Sequence, residues 1–287
     1  MAVQVLRDSA MFVSAVLLLA LAAIAPAAEP APAAPPPLAS DATAPNGADW
    51  KPLLNGRNFD GWYILLAGKK KNEDPDKVYQ VSDGTVHVFK DTPLGTHTPI
   101  GVLVTNKEYS HYRLRFQYQW GEKRFPPREK VIRDAGLMFH MVGPDKVWPM
   151  SVECQVQEGD TGDNFLVMTR CNTTVDPQTK TRYLSKDKGG VEITRGVADN
   201  VQRVIKDGTY ENPGWNTVEV IVRGDEAIYI VNGHENNRLW KMEQPGPKGG
   251  PPWIPLTKGR IAFQAEFAEV QYRNIEILEL GTAVASQ

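Results

Sequence analysis

Glu153 to Val167 reads ECQVQEGDTGDNFLV, two extended runs around a turn rich in Gly, Asp and Asn. Side chains alternate across a strand with period two. Met150, Val152, Cys154 and Val156 therefore share one face, and Ser151, Glu153, Gln155 and Gln157 share the other. Such a strand packs a core with one face and presents a row of polar groups with the other. That row is either an ordinary hydrated sheet face or the floor of a site for a polar ligand. A register symmetric about Thr161–Asp163 puts Cys154 opposite Cys171 and Arg170 roughly opposite Gln155. Cysteines facing each other in a non-hydrogen-bonded pair come within disulfide reach. The spacing thus predicts a Cys154–Cys171 bridge, the alternative being two buried thiols.

The same alternation recurs along the chain. Strands are expected at Val78–Ser82, Thr85–Phe89, Gly101–Thr105, Tyr112–Trp120, Ala135–Val142, Ser151–Gln157, Phe165–Cys171, Asn216–Arg223, Ala227–Val231, Arg260–Glu266 and Val270–Leu280. Ser82-Asp83-Gly84, Gly224-Asp225 and Asn232-Gly233 supply turns between them. No amphipathic helix longer than two turns is evident. Many strands with short turns imply an all-β, antiparallel β-sandwich or jelly roll rather than a parallel α/β fold. Four long connections interrupt it: Leu66–Lys77, Gly121–Asp134, Val175–Lys206 and Gln244–Lys258. Connections of this length in a β domain are usually functional or mobile. The third is rich in charge and could wall or cover one sheet face.

The amino terminus has a different character. Arg7 precedes an apolar run, Met11 to Ile24, that ends in the small residues Ala25-Pro26-Ala27-Ala28. This is the layout of a secretory signal peptide, expected over residues 1–28, and the run is short for a membrane span. Residues 29–49 are dominated by Ala and Pro and read as a linker with nothing to bury. One folded domain is expected over residues 50–282. The protein is thus expected to be exported, periplasmic or extracellular, with no membrane span after signal cleavage. Lys and Arg number 32 against 34 Asp and Glu and are interspersed with them, which leaves no footprint for a nucleic-acid backbone. Lys69-Lys70-Lys71 is short and sits beside acidic residues, as a solvated loop does.

Several side chains stand where a polar site would form. Glu153 and Gln155 share a strand face, as do Gln264 and Glu266 on a late strand. Alternation with Leu137, Phe139 and Met141 in the core puts His140 on the polar side. Stacked across one sheet, His140, Glu153 and Glu266 would make an acid–base cluster, with Arg170 as a hydroxyl or oxyanion binder. For each there is a plainer structural role: a hydrogen-bonded core histidine, or a Glu266–Arg273 ion pair. Asp160 and Asp163 read as turn formers. Trp148, at a strand entrance, and Trp120 are expected on a site rim; Trp62 and Trp215 are expected in the core. The five His residues show no ligand spacing for zinc. An oxygen-ligated Ca2+ assembled from loops stays open. No Gly-rich phosphate loop or Gly-x-Ser-x-Gly elbow is present.

The order of short blocks resembles the 3-keto-disaccharide hydrolase domain family (DUF1080). The first block is Leu53-Leu54-Asn55-Gly56-Arg57-Asn58-Phe59-Asp60-Gly61-Trp62. It is followed by Val81-Ser82-Asp83-Gly84, Leu103-Val104-Thr105-Asn106-Lys107-Glu108-Tyr109 and Ala135-Gly136-Leu137-Met138-Phe139. Glu153-Cys154-Gln155 and Gly159-Asp160-Thr161-Gly162-Asp163 come next, then Trp215-Asn216, Val231-Asn232-Gly233, Arg260-Ile261-Ala262-Phe263-Gln264 and Tyr272-Arg273-Asn274-Ile275. The resemblance spans Trp50 to Leu280. It implies a concanavalin A-like jelly roll with its ligand site on the concave sheet, and activity on glycosides already oxidised to a ketone at C3. A separate sugar 3-dehydrogenase would supply that ketone. This chain departs from the family pattern at Asp134-Ala135-Gly136, at His140, at Pro213-Gly214-Trp215-Asn216 and at Phe267, where the family commonly has Gly. A non-catalytic carbohydrate-binding module on the same fold is the alternative, and a structural envelope protein a third.

Overall fold

The computed structural model describes residues 48–281. The expected signal peptide and nearly all of the Ala/Pro linker lie outside the described residues. Two antiparallel sheets make up what is described. The seven-stranded sheet runs, in spatial order, Val201–Val204, Asn164–Val167, Met150–Gln157, Asp134–Val142, Arg260–Ala265, Gly101–Thr105 and Trp62–Leu66. The eleven-stranded sheet is built around His111–Arg124, flanked by Asn216–Arg223 and Ala268–Glu279. The fold is therefore the all-β antiparallel sandwich that the alternation implies, and the only helical element among the described residues is a short 3-10 turn at Lys186–Lys188.

The apolar faces of the two sheets meet. Leu137, Phe139, Val152, Cys154, Val156 and Phe263 of one sheet pack with Leu114, Phe116, Tyr118, Val220, Tyr229 and Tyr272 of the other. Phe116 meets Phe263 edge to face at 5.0 Å, a favoured geometry for two ring quadrupoles. Asp83-Gly84 and Asn232-Gly233 take positive φ and close two-residue hairpins, as the twist of paired strands favours.

The hairpin of Met150–Gln157 and Asn164–Val167 is tighter than symmetry about Thr161–Asp163 predicts. Gln155 N–H donates to Asp163 O and Gly162 N–H donates to Gln155 O, so the turn centres near Gly159 and Cys154 pairs with Asn164. The expected strand Phe165–Cys171 is also two strands. Met168 has φ 56°, and beyond it Arg170–Val175 crosses to the other sheet. Cys154 and Cys171 are accordingly free buried thiols. Asn164 lies between them in the hydrogen-bond pattern, donating to Cys171 Sγ at 3.8 Å and accepting from the Tyr229 hydroxyl at 2.9 Å. The crossing takes Arg170 away from Gln155. It pairs with Glu243 at 2.6 Å and stacks on Trp253.

Two long connections are not loops. Residues 176–206 include Val191–Gly196 and Val201–Val204, which form the outermost strands of the larger and smaller sheet respectively. Residues 244–258 complete a hairpin between His234–Gly246 and Gly250–Pro255. Charged and Pro-rich sequences hid these strands because an edge strand tolerates both.

Candidate active site

Glu153 and Gln155 emerge on the face of the seven-stranded sheet that points away from the sandwich core. Strand register makes this face a grid. Arg203, Phe165, Glu153, Met138, Ala262, Val104 and Tyr63 are successive neighbours in one row. Gln155 lies opposite Gly136, and Gln264 opposite Val102, in the next. Gln157 lies opposite Asp134, which bridges to Glu266, in a third. The polar row is not hydrated in the ordinary way: Glu153, Gln155 and Gln264 are 6, 5 and 2% exposed.

Three carboxyl groups, Glu153, Asp134 and Glu266, gather here, and two of them share one cation. Arg128 Nη1 donates to Asp134 Oδ2 at 2.6 Å and to Glu266 Oε1 at 2.5 Å. Gln155 Nε2 donates to Asp134 Oδ1 at 3.0 Å, which leaves its own Oε1 buried without a partner. The Glu153 carboxyl lies over Gly136. A β-carbon there would overlap Glu153 Oε1 and stand 3.1 Å from Gln264 Oε1, so only Gly leaves room for both side chains.

The electrostatics follow from this unequal sharing. Burial raises the Glu153 carboxyl well above the usual carboxylate range, and the neighbouring Asp134 and Glu266 raise it further. Burial and Asp134 push Glu266 up to about 7, with Arg128 opposing them. Asp134 is also raised by burial, against Arg128. Glu153 is thereby biased toward its protonated form, and Glu266 is poised to exchange a proton around neutral pH. Environments that separate the protonation of neighbouring acids are the usual basis for assigning acid and base roles.

His140 does not join them. A β-bulge between Phe139 and Val142 inserts one residue into the strand. His140 is that region's positive-φ residue, at 49°, and the extra residue reverses the alternation. Met141 therefore falls on the open face with Met138. The imidazole turns inward, fully buried, with Nε2 at 2.7 Å from Gly224 O in a turn of the opposite sheet. Burial lowers its pKa to about 4, so it is neutral and ties the two sheets together. Trp120 sits in the larger sheet, edge-on to Tyr118 and packed against the core, not on a rim.

The far end of the same face is apolar and latched. Val147 packs on Tyr63, Val102, Val104, Met138 and Ala262. Asp145 accepts from the Tyr63 hydroxyl at 2.7 Å and from Arg260 at 2.6 Å. Lys71 Nζ lies 3.5 Å above the Tyr63 ring and 3.5 Å from Asp145. The latch fixes the 143–149 connection, which carries the exposed Trp148 beside this face. Arg128 and Asp134 were not singled out from sequence as site residues. Extending the strand alternation back from Gly136 finds Asp134; nothing local marks Arg128, which a Pro-rich connection delivers. That connection is anchored where Phe125 N–H donates to Phe267 O. Phe267 has φ 55°, which accounts for the family's Gly there; here a Phe accepts that conformation and packs on the core. Among the described residues no group of three or more His, Cys, Asp or Glu is arranged to hold a metal ion.

The 3-keto-alpha-glucoside-1,2-lyase-like domain matches the sequence over residues 49–278, which includes every residue of this site. The chain belongs to that family. Two solved structures of Parabacteroides distasonis proteins with a provisional glycosyl-hydrolase name are similar to this family member. One is 18% identical, covering 80% of this chain and 99% of that one at a TM-score of 0.47. The other is 20% identical, covering 82% and 95% at the same TM-score. The carbohydrate-binding module CBM66 from Bacillus subtilis is also similar, at 8% identity and a TM-score of 0.41, covering 76% of this chain and 96% of that one. Likenesses this distant assign no activity. Comparison with curated proteins gives no match.

Proposed function

We propose that this lyase-like domain cleaves the bond between C1 and the glycosidic oxygen of sugars already oxidised at C3, with Glu266 and Glu153 as its base and acid. The C3 ketone acidifies the hydrogen on C2. Glu266, ionised in an appreciable fraction near its pKa of about 7, takes that proton and the electrons form an enolate. Re-formation of the ketone expels the C1 substituent, whose oxygen takes the proton held by Glu153. Water then adds across the C1–C2 double bond: Glu153 recovers a proton from the water that attacks C1, and Glu266 returns one to C2. The net change is hydrolysis and both carboxyls are restored. Arg128, the only cation touching the cluster among the described residues, supports the negative charge that develops at O3. The unpartnered Gln155 Oε1 and the Gln264 amide suit sugar hydroxyls.

The observation that carries this reading is the contrast between the two acids. Glu153 is buried with no hydrogen-bond partner for its carboxyl among the described residues, whereas Glu266 is held by Arg128. A merely structural carboxyl is normally satisfied where it is buried. The N-terminal export sequence supports action in the periplasm or outside the cell, on ketones made by a separate sugar 3-dehydrogenase. The test is release of free 3-keto-glucose from a 3-keto-glucoside, by wild type and by Glu153→Gln. Release that collapses in the variant supports the enzyme. Saturable binding without release would instead mean a carbohydrate-binding module.

A further inference from the structure

Phe165 has no counterpart among the candidates raised from sequence, yet it stands beside the proposed acid. It pairs directly with Glu153 across Met150–Gln157 and Asn164–Val167, and directly paired side chains share a face with β-carbons about 5 Å apart. It is only half-buried, whereas Asn164 and Leu166 on either side of it are fully buried. On its other side Arg203 is its register partner from Val201–Val204, and the guanidinium lies over the ring at 5.5 Å. Arg203 is itself fixed by ion pairs to Asp160 and to the fully buried Asp163.

The Arg203 guanidinium takes one face of this half-buried ring, and the residue paired with Phe165 on its other side is Glu153. A flat apolar ring face beside buried, unpartnered polar groups has the two properties a pyranose needs. The apolar C–H face of the sugar packs on the ring, and its hydroxyls meet Gln155 and Gln264.

We infer that Phe165 is the stacking platform for the sugar ring whose C1 substituent leaves, and that Arg203 holds the platform upright. This rests on the proposed function for the identity of that sugar. The platform is a binding residue: it fixes the ring so that C2 and the glycosidic oxygen meet Glu266 and Glu153, and it takes no part in proton transfer. A Tyr or Trp would serve, because the ring face does the work. A Leu would fill the space and fail, having no flat face.

The experiment compares wild type, Phe165→Leu and Phe165→Tyr for cleavage of a methyl 3-keto-glucoside. Binding of the corresponding unoxidised methyl glucoside, which has no ketone to drive elimination, is measured by calorimetry. Phe165→Leu is expected to raise KM and the glucoside Kd about tenfold, with kcat within about threefold. Phe165→Tyr is expected to match wild type in both. A Phe165→Leu protein that melts like wild type and keeps its KM and Kd overturns the platform. So does one that loses kcat alone. If wild type binds the glucoside without cleaving the keto sugar and Phe165→Leu loses that binding, the platform stands and the catalytic reading falls. If wild type does neither, both fall.

Discussion

The Glu153 carboxyl occupies the space where any residue but Gly at position 136 would carry its β-carbon. The contact is with the far end of a flexible side chain, so Gly136→Ala should displace the acid while sparing the sheet. We expect cleavage to fall about a hundredfold, the usual effect of moving a catalytic group by about 1 Å. Far-UV circular dichroism should be unchanged. Full activity in Gly136→Ala would show that Glu153 does not act from this position.

Activity should rise with pH through a value near 7 as Glu266 ionises, and fall again where Glu153 loses its proton; the two values belong to the coupled pair. The stability consequence has the opposite sense. The folded-state pKa of Glu266 lies above its ordinary value of 4.5. Its contribution is therefore intact below 4.5 and is lost as pH rises through about 7. Glu266→Gln should be the more stable protein at about pH 8, by up to about 3 kcal/mol, and inactive. The gap should close in acid. Denaturant melts at the two pH values test this, and a variant less stable than wild type at alkaline pH would contradict it.

His140 should prove dispensable for chemistry and important for the fold. His140→Ala removes the hydrogen bond to Gly224 O and leaves that acceptor buried, costing on the order of 2–3 kcal/mol. Cleavage per folded molecule should stay within about threefold of wild type. Because burial lowers the folded-state pKa to about 4 from 6.5, this residue's stabilisation is present above 6.5 and is lost as pH falls toward 4. The variant should lack that part of the acid sensitivity. A shift in the pH–rate profile of His140→Ala would instead return this residue to the site.

The two thiols give a simpler test. Cys154 is raised well above its ordinary value and Cys171 is pushed up to about 12, both chiefly by burial, so neither is reactive in the folded protein. Reductant should leave the melting temperature unchanged, and unfolding should release two titratable thiols. A bridge would show as a loss of about 2–4 kcal/mol on reduction.

Period-two patterning made the sandwich and the polar face of Met150–Gln157 readable, because alternation is a local property that burial enforces. What was not readable depended on interruptions of that pattern. One extra residue at His140 reverses a face, and a left-handed Met168 sends Arg170 and Cys171 to the other sheet. Both are consequences of packing between distant segments, and neither His nor Met announces a positive φ as Gly does. Glu153, Gln155, Gln264 and Glu266 were found on one face because each lies within a regular strand or at its end. Arg128 was missed because its place is fixed by Phe125, Asp134 and Glu266, none of which is its sequence neighbour on a periodic element.

Residues 176–206 close one border of each sheet, since one excursion supplies an edge strand to both. Shortening it would uncover Asn164–Val167 and Arg170–Val175 together. These are short, nearly uncharged runs of strand-forming residues, the kind of bare border on which another chain can add itself. The excursion therefore governs how the protein behaves in a crowd. A truncated form would be expected to retain its fold in dilution and polymerise on concentration, joining copies through two borders at once.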